Sequence, residues 1–413
     1  MPNRFDVLVL GAGMVGVSVA LHLQQRGRAV ALVDRREPGG ETSMGNAGLI
    51  QREGAIPYAF PRDPGTLLRY ARNTAPELRY HPRDLPALLP FLWRYWRNSA
   101  PARHMAIARR YAPLIRHCLD EHLALAAQAG AQDLLRPAGW MRIYRNPEKW
   151  QAEVRAAEAC RREFDVPFEP LDAAALQRAE PSLSPRLAGA VRYLQPVPCA
   201  DPQGLVQAYA ALFQRLGGTL LRGDAASLRE AWRVGTDDGE IQAAQAVIAL
   251  GPWAQPLTRR LGLRLPLAVK RGYHMHYAPR DGSPLGQPVL DAEVGYLLAP
   301  MRRGIRLTTG AELAHLDAPP TPRQLDAVEP RARELLDFGE RLDPVAWMGQ
   351  RPCTPDMMPL IGPAPGVPGL WLAHGHAHHG FTLGPVTGRL LAEMMCGQQP
   401  LLDPAPFAPS RFA

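Results

Sequence analysis

Lysine is almost missing from this chain. Two of its 47 basic residues, Lys149 and Lys270, are lysines and the rest are arginines. Cysteine is also sparse. Cys118, Cys160, Cys199, Cys353 and Cys396 are scattered and odd in number, and no CxxC spacing occurs. That excludes a disulfide framework and a cysteine zinc site, and a reducing, cytoplasmic setting is expected. No apolar run reaches the roughly 18 residues of a membrane span. The net charge is +8, yet no basic run of five residues appears, so a dedicated nucleic-acid patch is not expected. Internal repeats and low-complexity segments are absent. The remaining composition, 46% hydrophobic and 21% charged, is that of a soluble globular protein. A chain of 413 residues is too long for one ordinary core, so two domains are expected.

What is present begins at once. Phe5-Asp-Val-Leu-Val-Leu-Gly11-Ala-Gly13-Met-Val-Gly16 reads as a strand, a glycine turn and a helix over Val15–Gln25, followed by a second strand, Ala29–Val33, closed by Asp34. In such a βαβ unit Gly11 permits the tight turn. Gly13 admits a pyrophosphate and Gly16 lets helix and strand pack closely. The helix N-terminus offers N–H groups to phosphate, and Asp34 can accept ribose hydroxyls. The strand beginning at residue 5 leaves no room for a signal peptide.

Further along, the pattern predicts strands at Trp140–Tyr144, Leu265–Tyr277 and Leu370–Ala373, and a hairpin over Gly295–Gly310. Helices are predicted over 101–130, Gln151–Phe164, Leu205–Leu216, Gln324–Asp337 and Gly384–Met395, and a loop over Trp347–Asp356. The order implies interleaving. One domain takes 1–50, 196–264 and 346–413, and a cap takes 51–195 and 265–345. Leu88–Arg97, apolar and aromatic with arginines, reads as a core helix under the cap, or else as a peripheral membrane contact.

Three segments could carry chemistry. In Gly349-Gln-Arg351-Pro352-Cys-Thr-Pro-Asp356 the planar arginine fork can grip a carboxylate bidentately, and Asp356 can brace the loop. In His374-Gly-His376-Ala-His-His379-Gly380-Phe381-Thr382 four histidines fall within six residues. Without an HExxH or equivalent, a turn offering N–H groups to an anionic cofactor is the better reading than a metal site. In Lys270-Arg-Gly-Tyr273-His274-Met-His276-Tyr277 alternation sets Tyr273, Met275 and Tyr277 on one face and His274 and His276 on the other.

GAGMVG, ETSMGNAGLI, VKRGYHMHY, GQRPCTPDMMPLIG and HGHAHHGFTLGPVTGRLLAEM occur in that order. Together they resemble the D-amino acid oxidase-like flavoprotein superfamily over nearly the whole chain, most closely its bacterial D-amino acid dehydrogenase (small-subunit) branch. The resemblance implies an α/β, overall α+β, fold: a Rossmann-like FAD domain interleaved with a substrate domain on a mostly antiparallel sheet. It implies FAD held by Gly11, Gly13, Gly16, Asp34 and Arg35, and by Thr42, Ser43, Asn46, Ala47, Gly48 and Leu49. Ala225 would lie beside the adenine, Leu250 and Gly251 under the pyrophosphate, and Gly375, Gly380, Phe381 and Thr382 at the flavin's pyrimidine side. Arg351 would bind the substrate carboxylate and Tyr273 would line the pocket. His274, His376 or a water would take the amine proton.

The implied reaction oxidises the Cα–N bond of a D-amino acid, D-proline and hydroxy-D-proline included, by hydride transfer to the flavin. An imino acid forms, then a 2-oxo acid or pyrroline carboxylate, and electrons pass to a quinone or other acceptor. Two departures matter. Ala377, His378 and His379 alter the terminal loop, and Gln195–Pro202 is more similar to glycine and sarcosine oxidases, which leaves an oxygen-using amine oxidase open. Other relatives modify transfer RNA bases, a third alternative.

Overall fold

The computed structural model describes residues 4–412. The opening unit folds as strand β1 (Arg4–Leu10), helix α1 (Met14–Gln24) and strand β2 (Val30–Asp34), with β1 and β2 parallel. Val7 and Val9 pack into one apolar cluster, Leu8 and Leu10 into another on the opposite face. A strand buried on both sides has no polar face, so the run is continuously apolar.

Six strands form the main path of this first sheet, in the order Leu360–Pro363, Leu370–His374, Gly239–Ile248, β1, β2, Thr219–Arg222, and Arg233–Thr236 pairs off Gly239–Ile248. The C-terminal ends of β1, Gly239–Ile248 and Leu370–His374 lie side by side, so Gly11, Ala249–Gly251 and His374–Gly375 meet along one edge. Ligands of open α/β sheets bind at such an edge.

Helix α1 crosses the helix Gly380–Met395 on glycines. A Cβ at Gly384 would fall 2.4 Å from Met14 Cγ, and one at Gly388 would fall 2.5 Å from the Ser18 carbonyl carbon. Backbones therefore meet where side chains would otherwise stand.

The second sheet is mostly antiparallel. Its central strand, Ala268–Tyr277, pairs with Gly304–Thr308, Ala311–Leu313 and Trp347–Cys353. Tyr296–Met301, Val289–Asp291, Trp140–Tyr144, Gly189–Tyr193 and Phe168–Asp172 continue it. Met275 and Tyr277 point into this domain's core with Leu325, Val328 and Phe338.

Four expectations need correction. Trp347–Cys353 is a strand, not a loop, and joins the second sheet although 346–413 was assigned to the first body. Gly349 and Pro352 read as loop formers, but among the described strands this one pairs with Ala268–Tyr277 alone, and edge positions tolerate proline. Gly380, Phe381 and Thr382 form the first helical turn rather than a loop. Residues 101–130 divide into Pro101–Arg116 and Cys118–Ala129, and both pack into the α1 core cluster, while Ala108 of the first also packs against the cap with Trp140 and Val191. Leu85–Asn98 is not a core helix: it buries only Phe91 and Tyr95 and leaves Leu89 and Trp93 each 59% exposed.

The glycine crossing is testable. Gly388→Ala gains about 1 kcal/mol of helix propensity but drives a methyl into the Ser18 backbone, an overpacking cost of about 1–3 kcal/mol or more. Urea unfolding should show net destabilisation; a stabilised variant would mean that the two helices can spread.

Candidate active site

A cavity of about 1130 Å³ runs from the glycine turn of the first sheet to the central strands of the second. At the nucleotide end Gly11 has φ +106°, and a Cβ there would sit 2.6 Å from the Ala249 carbonyl oxygen. Gly16 lies beneath the turn, where a Cβ would fall 1.8 Å from the Gly11 oxygen. Asp34 braces the turn: Oδ2 accepts from Ala12 N at 2.6 Å and Oδ1 from Arg36 N at 2.9 Å. Arg35 lies over the Trp253 ring at 4.9 Å, and Ala225, Leu250 and Gly251 share this wall. No acidic side chain stands in the first turn of α1, which leaves the positive end of the helix dipole for an anion.

The loop 41–49 forms the middle of the cavity and is tied from all sides. Ser43 Oγ accepts from Met14 N at 3.0 Å, and Thr42 Oγ1 donates to Gln350 O at 3.0 Å. Asn46 Oδ1 accepts from Gly48 N at 2.9 Å and Leu49 N at 3.3 Å. Gly48 has φ +69° and no room for a Cβ against Cys199 O; with Thr382, it lies behind the cavity wall that Ala47 and Leu49 help to form. Thr382 Oγ1 donates to Leu49 O at 3.1 Å. From beneath, Arg306 Nη1 donates to Met44 O at 3.0 Å and to Asn46 O. Arg306 Nε donates to His276 Nε2 at 3.0 Å, which assigns the His276 proton to Nδ1, 2.7 Å from Asp343 Oδ2. Burial lowers the Arg306 pKa to about 10, so it stays a cation.

At the far end Arg351 pairs in register with Lys270. Its guanidinium lies across Gly272, where a Cβ would be 2.3 Å from Nη2. Nη1 donates to Gly310 O at 3.2 Å, and no carboxylate partners the group among the described residues. Trp347 covers Gly45, where a Cβ would fall 1.6 Å from the indole. The Tyr273 ring reaches the cavity, but its hydroxyl is committed: it donates to Glu312 Oε2 at 2.7 Å and accepts from Thr321 N at 2.7 Å. Glu312 also holds the fully buried Arg271 at 2.6 Å. Asp356 accepts from Met358 N at 3.1 Å and pairs with Arg411 at 2.9 Å, bracing the turn after Arg351.

The histidines divide. His274 stacks on Trp347 at 4.8 Å and is absent from the cavity wall. Burial, then Arg306 and His276, lower its pKa to about 2. His376 reaches the cavity, but Nε2 contacts Thr387 Oγ1 at 3.0 Å, and burial lowers its pKa to about 3. Burial makes both rings weak bases, and His274 stands off the cavity wall, so the geometry gives neither a clear hold on a substrate amine. His379 Nδ1 meets Tyr111 Oη at 2.7 Å, and His378 packs against Tyr58 with ring centroids 4.5 Å apart and the planes tilted by 43°. His374 lines the cavity, buried, with neither ring nitrogen partnered among the described residues. No three His, Cys, Asp or Glu side chains converge as a metal site among the described residues.

The family model of FAD dependent oxidoreductases (DAO) matches residues 6–394. The chain belongs to this family. It is an enzyme, and its cofactor is FAD. A D-amino-acid oxidase of Bradyrhizobium diazoefficiens is 31% identical over the whole of both chains. A D-amino acid dehydrogenase of Cereibacter sphaeroides is 32% identical over 98% of this chain and 95% of its own. Among solved structures, glycine oxidase from Geobacillus kaustophilus superposes with TM-score 0.73 at 24% identity over both full chains. L-amino acid deaminase from Proteus vulgaris gives 0.74 at 18%, over all of this chain and 98% of that one.

The cavity fits the cofactor. The Gly11 cradle admits no side chain, the α1 N-terminus lacks an acid, and His374, with both ring nitrogens unpartnered among the described residues, lines the space. Sequence reasoning missed Trp253, Arg306, Trp347, Lys270 and the wall position of His374. Alternation along 270–276 already placed Lys270 and Gly272 on one face; the partner strand that completes that face was read as a loop.

The neutral histidines set a pH dependence. Burial lowers His122 and His374 to about 4, and His22, His376 and His379 to about 3, from 6.5. Between those values and 6.5 the unfolded chain binds more protons. Stability is therefore full above about 6.5 and falls as pH drops towards 4, each histidine contributing about 1.4 kcal/mol per pH unit within its window. Urea midpoints at about pH 7.5 and 5 should differ accordingly; equal midpoints would mean that these rings are not buried neutral.

Proposed function

We propose that this enzyme oxidises the Cα–N bond of a D-amino acid, with Arg351 gripping the carboxylate. The observation that carries the reading is the Arg351 guanidinium, which faces the cavity with one backbone carbonyl as its partner. A buried cation left in that state calls for an anion, and its fork suits a carboxylate. The D-configuration is supported by the full-length curated relatives, named D-amino-acid oxidase and D-amino acid dehydrogenase.

FAD, once bound, supplies the two-electron acceptor. Gly11, Gly13, Asp34, Arg35, Ala225, Leu250 and Gly251 would hold its nucleotide half. Loop 41–49 with Gly375, Gly380 and Phe381 would hold the rest. The protein's task is then positioning and exclusion of water. Gly272 lets the Arg351 fork lie flat, and Trp347 closes the space over Gly45. Because His376 is a weak base, the substrate amine loses its proton to water before it reacts, and kcat/KM rises with pH through the amine's own titration.

Arg351→Met should lower kcat/KM by about 3–4 kcal/mol, roughly 10²–10³-fold, read as anaerobic flavin bleaching against a panel of D-amino acids, D-proline and glycine. Unchanged kinetics would remove the role. No bleaching of the wild-type holoenzyme by any D-compound would overturn the reading.

We place the electron acceptor, a quinone, at a membrane that the protein touches without crossing; no described helix is long and apolar enough to span one. The exposed Leu89 and Trp93, on one helix with Arg94 and Arg97, support this contact. Holoenzyme should sediment with anionic vesicles, and the Leu89→Ser/Trp93→Ser variant should not. Equal sedimentation of both would dismiss this face.

A further inference from the structure

The cavity holds a second cation that the reaction above leaves unused. Lys270 stands beside Arg351 on the paired strand and lines the same wall. Its Nζ lies 4.1 Å over the Tyr95 ring and 3.9 Å from Met357 Sδ, and no carboxylate pairs with it among the described residues. The surroundings are apolar: Phe60, Leu92, Tyr95 and Met357 line this part of the cavity. A cation–π contact steadies an ammonium but brings no countercharge.

The acids elsewhere on the cavity wall are already engaged. Glu153 binds Arg142 at 2.5 Å, Glu41 binds Arg35 at 3.0 Å, and Glu77 binds Arg69. His378, close enough to feel both cations, offers no negative charge. Burial, then His379, Arg351 and Lys270, hold it neutral, well below 6.5.

A substrate carboxylate on Arg351 therefore leaves one positive charge in an apolar compartment. Like charges on neighbouring strands repel, and a low-dielectric wall sharpens that repulsion. The arrangement is relieved when the ligand carries a second anion. The residue type agrees: arginine is this chain's habitual cation, yet here stands the compact ammonium that suits a single carboxylate end without a planar fork.

We propose that Lys270 is a specificity-determining residue that receives a second carboxylate, and that the preferred substrate is an acidic D-amino acid of the D-aspartate or D-glutamate type. The substrate part rests on the D-amino acid reading above. The second-anion site does not.

Two measurements on the purified holoenzyme test it. Anaerobic flavin reduction should show kcat/KM for D-glutamate or D-aspartate at least about tenfold above D-glutamine or D-asparagine. Lys270→Met should erase that preference while changing D-alanine less than about threefold, and Lys270→Arg should retain part of it. Independently, glutarate and succinate should perturb the flavin spectrum at concentrations about tenfold below butyrate, and Lys270→Met should abolish the difference. Equal treatment of acid and amide by the wild type, or a uniform loss for every substrate in Lys270→Met, would overturn the specificity role. Dicarboxylate binding without turnover of any D-amino acid would keep the second-anion site and sink the D-amino acid reading. Absence of both would sink the two together.

Discussion

The backbone pairing of Trp347–Cys353 with Ala268–Tyr277 is the constraint on which the substrate end depends. One short edge strand carries three duties at fixed spacing. Trp347 covers Gly45, the Gln350 carbonyl accepts from Thr42, and Arg351 lies across Gly272 beside Lys270. Because side chains alternate along a strand, Trp347, Gly349 and Arg351 share a face, and a slip of one residue would turn all three away from the cavity. Gly349 fits the scheme, since a Cβ there would meet the Trp347 ring at 2.4 Å. The first sheet supplies the nucleotide cradle, and loop 41–49 joins it to this strand.

Electrostatics at the site is one-sided. The cavity's far wall carries Arg351 and Lys270, while the histidines around it are held neutral by burial. At that wall the positive charge without a carboxylate partner thereby stays on these two side chains, instead of spreading over four imidazoles whenever the pH falls. The Asp343–His276–Arg306 chain works differently. It sits behind the loop and fixes two carbonyls, so it acts on geometry rather than on the reactant.

How much of this was legible in the sequence follows from local against non-local causes. The βαβ unit, the Trp140–Tyr144 strand and the 295–310 hairpin announce themselves through contiguous apolar runs, alternation and glycine turns, and they appear within a few residues of their expected bounds. Trp347–Cys353 did not, because Gly349 and Pro352 carry a loop signal that only an edge position reverses. The early start of the last helix was hidden by Gly384 and Pro385, which look like breakers; the glycine serves a contact with α1 that local sequence cannot show. For Arg351 the resemblance supplied a role, but its lack of a carboxylate partner exists only in three dimensions. His274 and His376 illustrate a related point: burial as well as residue type decides how readily an imidazole accepts a proton, and burial was not legible in the sequence.

The glycine under Arg351 has a consequence for how such an enzyme can change. A side chain at position 272 would displace the guanidinium from where it lies, so change there acts on the carboxylate grip itself. Position 270 has no such restriction; its side chain extends into a compartment lined by aromatic rings and a flexible methionine. Divergence in substrate range therefore has an open route at one strand position and a barrier two residues away. The same short segment can hold reaction type constant while side-chain preference drifts.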